Sequence, residues 1–114
     1  MKNFFLRCFT LLFLCGVGNV SAGSINGVIL TIGTQDDGSS AGWFWLQADQ
    51  NIPNLPSCHT VPADRVAWDF SRAVSKSAFA LATSAYLTNR RVVIDTYDTC
   101  HNGYVTVRNI YFSK

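Results

Sequence analysis

The chain has no glutamate among its 114 residues, and only 14% of them are charged. Every side-chain carboxylate is therefore an aspartate, which leaves few candidates for the paired acids of a glycosidase. No GxSxG elbow occurs, and no glycine-rich phosphate loop precedes a helix, so two common catalytic signatures are missing. No apolar run is long enough to cross a bilayer: the run from Cys8 to Val17 covers about ten residues, and a spanning helix needs about twenty. Cysteine is scarce, at four. The three prolines, Pro53, Pro56 and Pro62, fall within one short segment.

The N-terminus explains part of that scarcity. Lys2 and Arg7 precede the apolar run, and Val20-Ser21-Ala22 supplies the small residues of a signal-peptidase site before Gly23. Leu14 is bulkier than the small residue a lipoprotein signal needs before its cysteine, so Cys15 does not imply a lipid anchor. Residues 1–22 are expected to be a signal peptide, and residues 23–114 one small domain, secreted or periplasmic. Removing the leader removes Cys8, Cys15 and two cations. Seven basic residues then balance seven aspartates, so the formal net charge of +2 falls to zero. Neutrality argues against a nucleic-acid partner, whose proteins carry clustered positive charge, and against an anionic membrane surface.

Cys58 and Cys100 remain. In an oxidising compartment they are expected to pair, closing a loop worth roughly 4 kcal/mol on chain-entropy grounds. Each precedes a histidine, His59 and His101, and a Cys₂His₂ zinc site is the competing reading. Neighbouring residues on extended backbone point to opposite sides, so zinc would need a sharp bend at both pairs. The disulfide is the expectation, and no metal or cofactor is.

Periodicity predicts five strands and one helix. Ile25 to Thr34 is a β-branched-rich strand interrupted by Gly27 and Gly33, which mark bulges or curls. A turn at Asp36 to Ser40 leads to a second strand at Trp43-Phe44-Trp45-Leu46, forming a hairpin with the first. Asn51 to Pro62 is a loop. Arg65 to Phe70 is a third strand, with Val66 and Trp68 on one face. From Ser71 to Leu87, Val74, Ala78, Leu81 and Ala85 recur at helical spacing, widened by Phe79, Ala82 and Tyr86. Ser71 is the expected N-cap and Asn89 the left-handed C-terminal residue. Arg91 to Tyr97 is a fourth strand, a turn at Asp98 to Gly103 carries Cys100, and Tyr104 to Phe112 is a fifth. In that last strand Val105, Val107 and Tyr111 share a face, with a local exception at Ile110. The order matches a five-stranded OB-like barrel, mainly β, with the helix between strands three and four.

Gly27-Val28-Ile29-Leu30-Thr31, a polar turn, Trp43-Phe44-Trp45-Leu46, a helix and Arg91-Val92-Val93-Ile94 together resemble the B subunits of subtilase cytotoxin and typhoid toxin. The resemblance spans most of residues 23–114. It implies an exported OB-fold domain that binds glycans or a cell-surface receptor, assembles as a homopentamer and serves a separate enzymatic subunit. Asn26 stands where that family has a sugar-contacting serine. Trp45 stands where it has a second-strand cysteine.

Candidate site residues follow. Trp43 and Trp45 share one face of their strand with Phe44 opposite, so one ring-bearing face is free for an interface. Asn26, Asp36, Tyr97 and Tyr104 are the expected ligand contacts, since OB barrels bind along a strand-lined face and its rim loops. The expected function is non-catalytic binding. A periplasmic or envelope domain that binds or inhibits another protein is the alternative.

Overall fold

The computed structural model describes residues 23–38 and 41–113. The expected signal peptide, the two leader cysteines, and Ser39 and Ser40 of the expected turn lie outside the described residues.

The fold is mainly β with one helix. Six strands, β1 (Ser24–Gly27), β2 (Ile29–Gln35), β3 (Trp43–Ala48), β4 (Arg65–Asp69), β5 (Val92–His101) and β6 (Tyr104–Phe112), form one sheet in the order β1-β5-β6-β4-β3-β2. The helix α1 (Val74–Thr88) connects β4 to β5. All pairings are antiparallel except β4 with β6, which run parallel through Val66 opposite Val105 and Ala67 opposite Thr106.

The expected single first strand is two strands, and the five-stranded barrel is matched only in part. Val28 interrupts the run because Asp49 engages it twice. The Val28 N–H donates to Asp49 Oδ1 at 2.9 Å, and the Asp49 N–H donates to the Val28 carbonyl at 3.0 Å. The halves then part company: β1 pairs with β5, and β2 pairs with β3.

Alternation sorts the side chains. On β3, Phe44 and Leu46 are fully buried, and on β4 so are Val66 and, at 2% exposure, Trp68. The Phe44 and Trp68 rings stack 4.5 Å apart, with Phe79 of α1 edge-on to Phe44 at 5.0 Å. Ile25, Ile29, Val92, Ile94, Val105 and Val107 complete the core. Fully burying each large apolar side chain contributes about 1.5–3 kcal/mol.

The helix differs from its expected limits. Ser71 lies before it in a turn, its N–H bonded to Asp69 Oδ1 at 2.9 Å, and Ala73 occupies the N-cap with no side-chain cap. The buried stripe is Ser75, Ala78, Ala82 and Ala85, whereas Val74 and Tyr86 are exposed. Small side chains let the helix approach β2 and β6 closely, so Val74 and Tyr86 fall outside the contact while Phe79 and Leu81 pack at its borders. Asn89 does end the helix in the left-handed region, its N–H reaching the Ala85 and Tyr86 carbonyls.

Strand β5 continues through Cys100 to His101, so the expected Asp98 to Gly103 turn shrinks to Asn102 and Gly103, both at positive φ. The β5–β6 register shifts between Asp95/Asn109 and Thr96/Val107, placing an extra residue on β6. A bulge reverses the phase of alternation beyond it. Ile110 and Phe112 therefore pack on the core, and Tyr111, expected on the Val105 face, points out with 49% of its surface exposed.

Candidate functional site

The outer face of β3 carries the ring-bearing surface. Trp43 and Trp45 sit there, opposite Phe44, as alternation requires. Trp43 is only 4% exposed although it faces away from the core, because its own chain covers it. His101, at the end of β5, meets its ring edge-on at 5.3 Å, and Tyr104, at the start of β6, does so at 5.2 Å. The Asn102-Gly103 turn brings both residues over β3.

Trp45 is half-buried and lies 6.2 Å from the Tyr104 ring. It rests on Gly33, its partner across the β2–β3 pairing. A Cβ on Gly33 would lie 2.9 Å from Trp45 Nε1, so only glycine lets the indole lie down on β2. The Arg65 guanidinium lies 5.5 Å from the centre of the Trp45 ring, a cation–π arrangement.

Polar groups border these rings. Thr31 donates to Gln47 Oε1 at 3.3 Å, and Gln47 Nε2 donates to Asp64 Oδ2 at 2.9 Å. The other Asp64 oxygen and Arg65 Nε are buried without hydrogen bonds, 3.9 Å apart. On the opposite border, His101 Nε2 lies 3.4 Å from Asp37 Oδ2, an ion pair only when the imidazole is protonated. It makes no hydrogen bond at that geometry.

Two hollows flank the paired residues Trp43 and Asp69. One, of about 410 Å³, is lined by Asp69, Arg72, Tyr97, Thr99, His101 and Thr106. Arg72 stacks over Tyr97 at 5.3 Å, and the Thr99 and Thr106 hydroxyls share a 2.6 Å hydrogen bond. The Ser71 backbone N–H, then its hydroxyl, hold the Asp69 carboxyl below its ordinary value of 3.8, aided weakly by His101. The second hollow, about 360 Å³, includes Asp36, Gly42, Trp43 and Phe70.

The expected site residues thus divide. Trp43, Trp45, Tyr104, Tyr97 and Asp36 lie on or beside this surface. Asp36 itself forms the turn, accepting the Gly38 N–H at 2.9 Å. Asn26 is elsewhere, in β1 opposite Val93. Its side-chain oxygen accepts from Arg91 Nε and the Ser113 hydroxyl, and its carbonyl accepts from Arg91 and Gln50.

Cys58 and Cys100 form a disulfide, with Cα atoms 6.0 Å apart. It ties the proline-bearing loop to the end of β5, next to His101. His59 serves the frame: its Nδ1 accepts the Val105 N–H at 3.0 Å, and its Nε2 lies 3.0 Å from the Pro62 carbonyl. Arg65, Asp69, Arg72 and Gly33 were not singled out as site residues by pattern. The strand alternation that places Trp45 outward also places Arg65 and Asp69 outward, and that was the available signal.

Among the described residues, no group of three or more His, Cys, Asp or Glu side chains is arranged to hold a metal ion, and no helix is long and apolar enough to cross a membrane. No family model, curated protein or solved structure matches the chain.

Proposed function

We propose that this chain is an exported, non-catalytic binding domain of OB type that recognises a glycan, in the manner of a toxin B subunit. The carrying observation is the pair of partly exposed rings, Trp45 and Tyr104, outside the core and bordered by Gln47, Asp64 and Arg65, with Trp43 buried under Tyr104 and His101. Flat rings suit the C–H faces of sugars, and planar polar side chains suit adjacent hydroxyl pairs.

Connectivity supports the OB reading. Val28 alone separates β1 from β2, so the two count as one long strand pairing at its two halves with β5 and β3. Counted so, the order becomes 1-2-3-5-4-1, the third and fifth strands run parallel, and the helix falls between the third and fourth. The ring surface then belongs to the second strand and the rims to the 1–2 and 4–5 connections, where OB domains bind their ligands. Export is supported by the leader sequence and by the disulfide.

A glycan-array screen of the oxidised protein tests the reading. Retention of a defined glycan class is expected, weakened at least about tenfold by Trp45→Ala with little change in melting temperature. No retention, or equal retention by Trp45→Ala, overturns it. Light scattering tests the assembly that goes with it: a ring pentamer is expected, and a monomer at micromolar concentration removes the toxin-type ring.

A further inference from the structure

Beyond Thr106, β6 loses its partner on one side. Its parallel pairing with β4 ends at Ala67 opposite Thr106, and residues 107 to 112 pair with β5 alone. Ser113 donates its N–H to the Arg91 carbonyl, on the β5 side. Counting back by alternation, the backbone N–H and C=O groups of Ile110 and Phe112 face the open side. No backbone hydrogen bond to them from that side occurs among the described residues. An open edge of this kind is a template for another strand.

A hollow of about 160 Å³ lies between this edge and α1, with Trp68, Val74, Ala78, Leu81 and Ile110 giving it an apolar lining. Val74 is 51% exposed at its margin. The charged side chains at its rim and at the two ends of the open stretch are arginines. Arg108 is exposed on the rim and makes no ion pair among the described residues. Arg72 reaches the Val107 carbonyl at 3.3 Å at one end of the open stretch, and Arg90 lies 4.2 Å over the Phe112 ring at the other. No aspartate lines the hollow. The nearby Asp95, on β5, is engaged by the Ser24 hydroxyl at 2.7 Å and by Asn109.

We propose that the open edge of β6 binds an extended acidic peptide segment of another protein by strand addition. The segment's backbone completes the hydrogen bonds of Ile110 and Phe112, one apolar side chain enters the hollow, and its carboxylates meet Arg108 and the flanking arginines. Strand addition draws affinity from main-chain bonds and selectivity from the side-chain pocket, and both parts are present here. This surface is separate from the Trp45 face, so the inference does not depend on glycan recognition.

The test is fluorescence anisotropy of the oxidised protein with a labelled peptide of alternating glutamate and leucine. Saturable binding that weakens with added salt is expected, about tenfold weaker for Arg108→Glu. Ser77→Trp, on an exposed helix position lining the hollow, should weaken it without requiring a charge change. A peptide N-methylated at alternate amides should not bind. Absence of saturable binding, unchanged binding by Ser77→Trp, or equal binding of the N-methylated peptide overturns the proposal. Sedimentation equilibrium of the protein alone showing a dimer that Arg108→Glu splits also overturns it, assigning the edge to a second copy.

Discussion

His59 shows how much one side chain can hold. Its ring joins the long loop to β6 by accepting the Val105 N–H, and Val105 is fully buried, so water cannot replace the bond. Leaving such a donor unpaired costs about 1–3 kcal/mol. His59→Ala is expected to lower unfolding free energy by that amount in urea titrations, and His59→Gln, which keeps an acceptor, should recover part of it. Asp69 makes a second prediction at this scale. Its folded carboxyl titrates below 3.8 because it accepts the Ser71 N–H, so the unfolded chain takes up the proton first as pH falls. Its contribution is complete above the ordinary carboxylate range and is lost as pH drops through the folded value. Denaturation midpoints of Asp69→Asn should therefore fall less than those of wild type between pH 5 and pH 3. An equal fall would show that other carboxylates govern acid sensitivity. Neither role was legible in the sequence. His59 and Val105 are 46 residues apart, and no local pattern marks the partner.

Among the elements, the β2–β3 hairpin is the one on which the proposed glycan recognition turns. Gly33 was readable as an irregularity in a strand, but its purpose appears only opposite Trp45. Gly33→Val is expected to lift the indole off β2 while the hairpin stays paired. Tryptophan emission should change, and the change should disappear in a Trp45→Phe background. Glycan binding, where present, should weaken in step with the emission. If emission and binding both stay as in wild type, Trp45 does not need its seat on Gly33. Strand β6 teaches the limit of alternation. Val105 and Val107 follow period two, yet the bulge reverses phase before Ile110, and Tyr111 moves outward. An inserted residue leaves no compositional mark, so the exception at Ile110 was visible without its cause. The helix errs for a related reason: apolar spacing nominated Val74 and Tyr86, but a close helix–sheet approach selects the smallest side chains, Ser75 and the alanines.

For the molecule as a whole, the disulfide and the core divide the work. The bond spans a sequence separation of 42 and tethers a loop that holds few regular backbone pairings. Cys100→Ser is expected to reduce stability by about 4 kcal/mol on chain-entropy grounds, seen as a lower melting temperature. Two free thiols in protein purified from an oxidising compartment would contradict the bond. The loss should not abolish the β-sheet signal in circular dichroism, because the strands and helix supply most of the core around Phe44 and Trp68, and the loop adds only Ile52 and Leu55.

The amino-acid sequence alone determined the balance of β and helix, the cysteine pairing, and the two faces of β3 and β4. Each follows from short-range physics: period-two alternation, helical spacing, turn chemistry and the two thiols present between residues 23 and 114. Only the tertiary structure decided the division of the first strand at Val28, the covering of Trp43 by His101 and Tyr104, the removal of Asn26 from the ring surface, and the open edge of β6. These depend on which strands meet and in what register. Register is set by contacts such as Asp49 to Val28 and His59 to Val105, made by residues far apart along the chain, whose energy exists only once the chain has closed on itself.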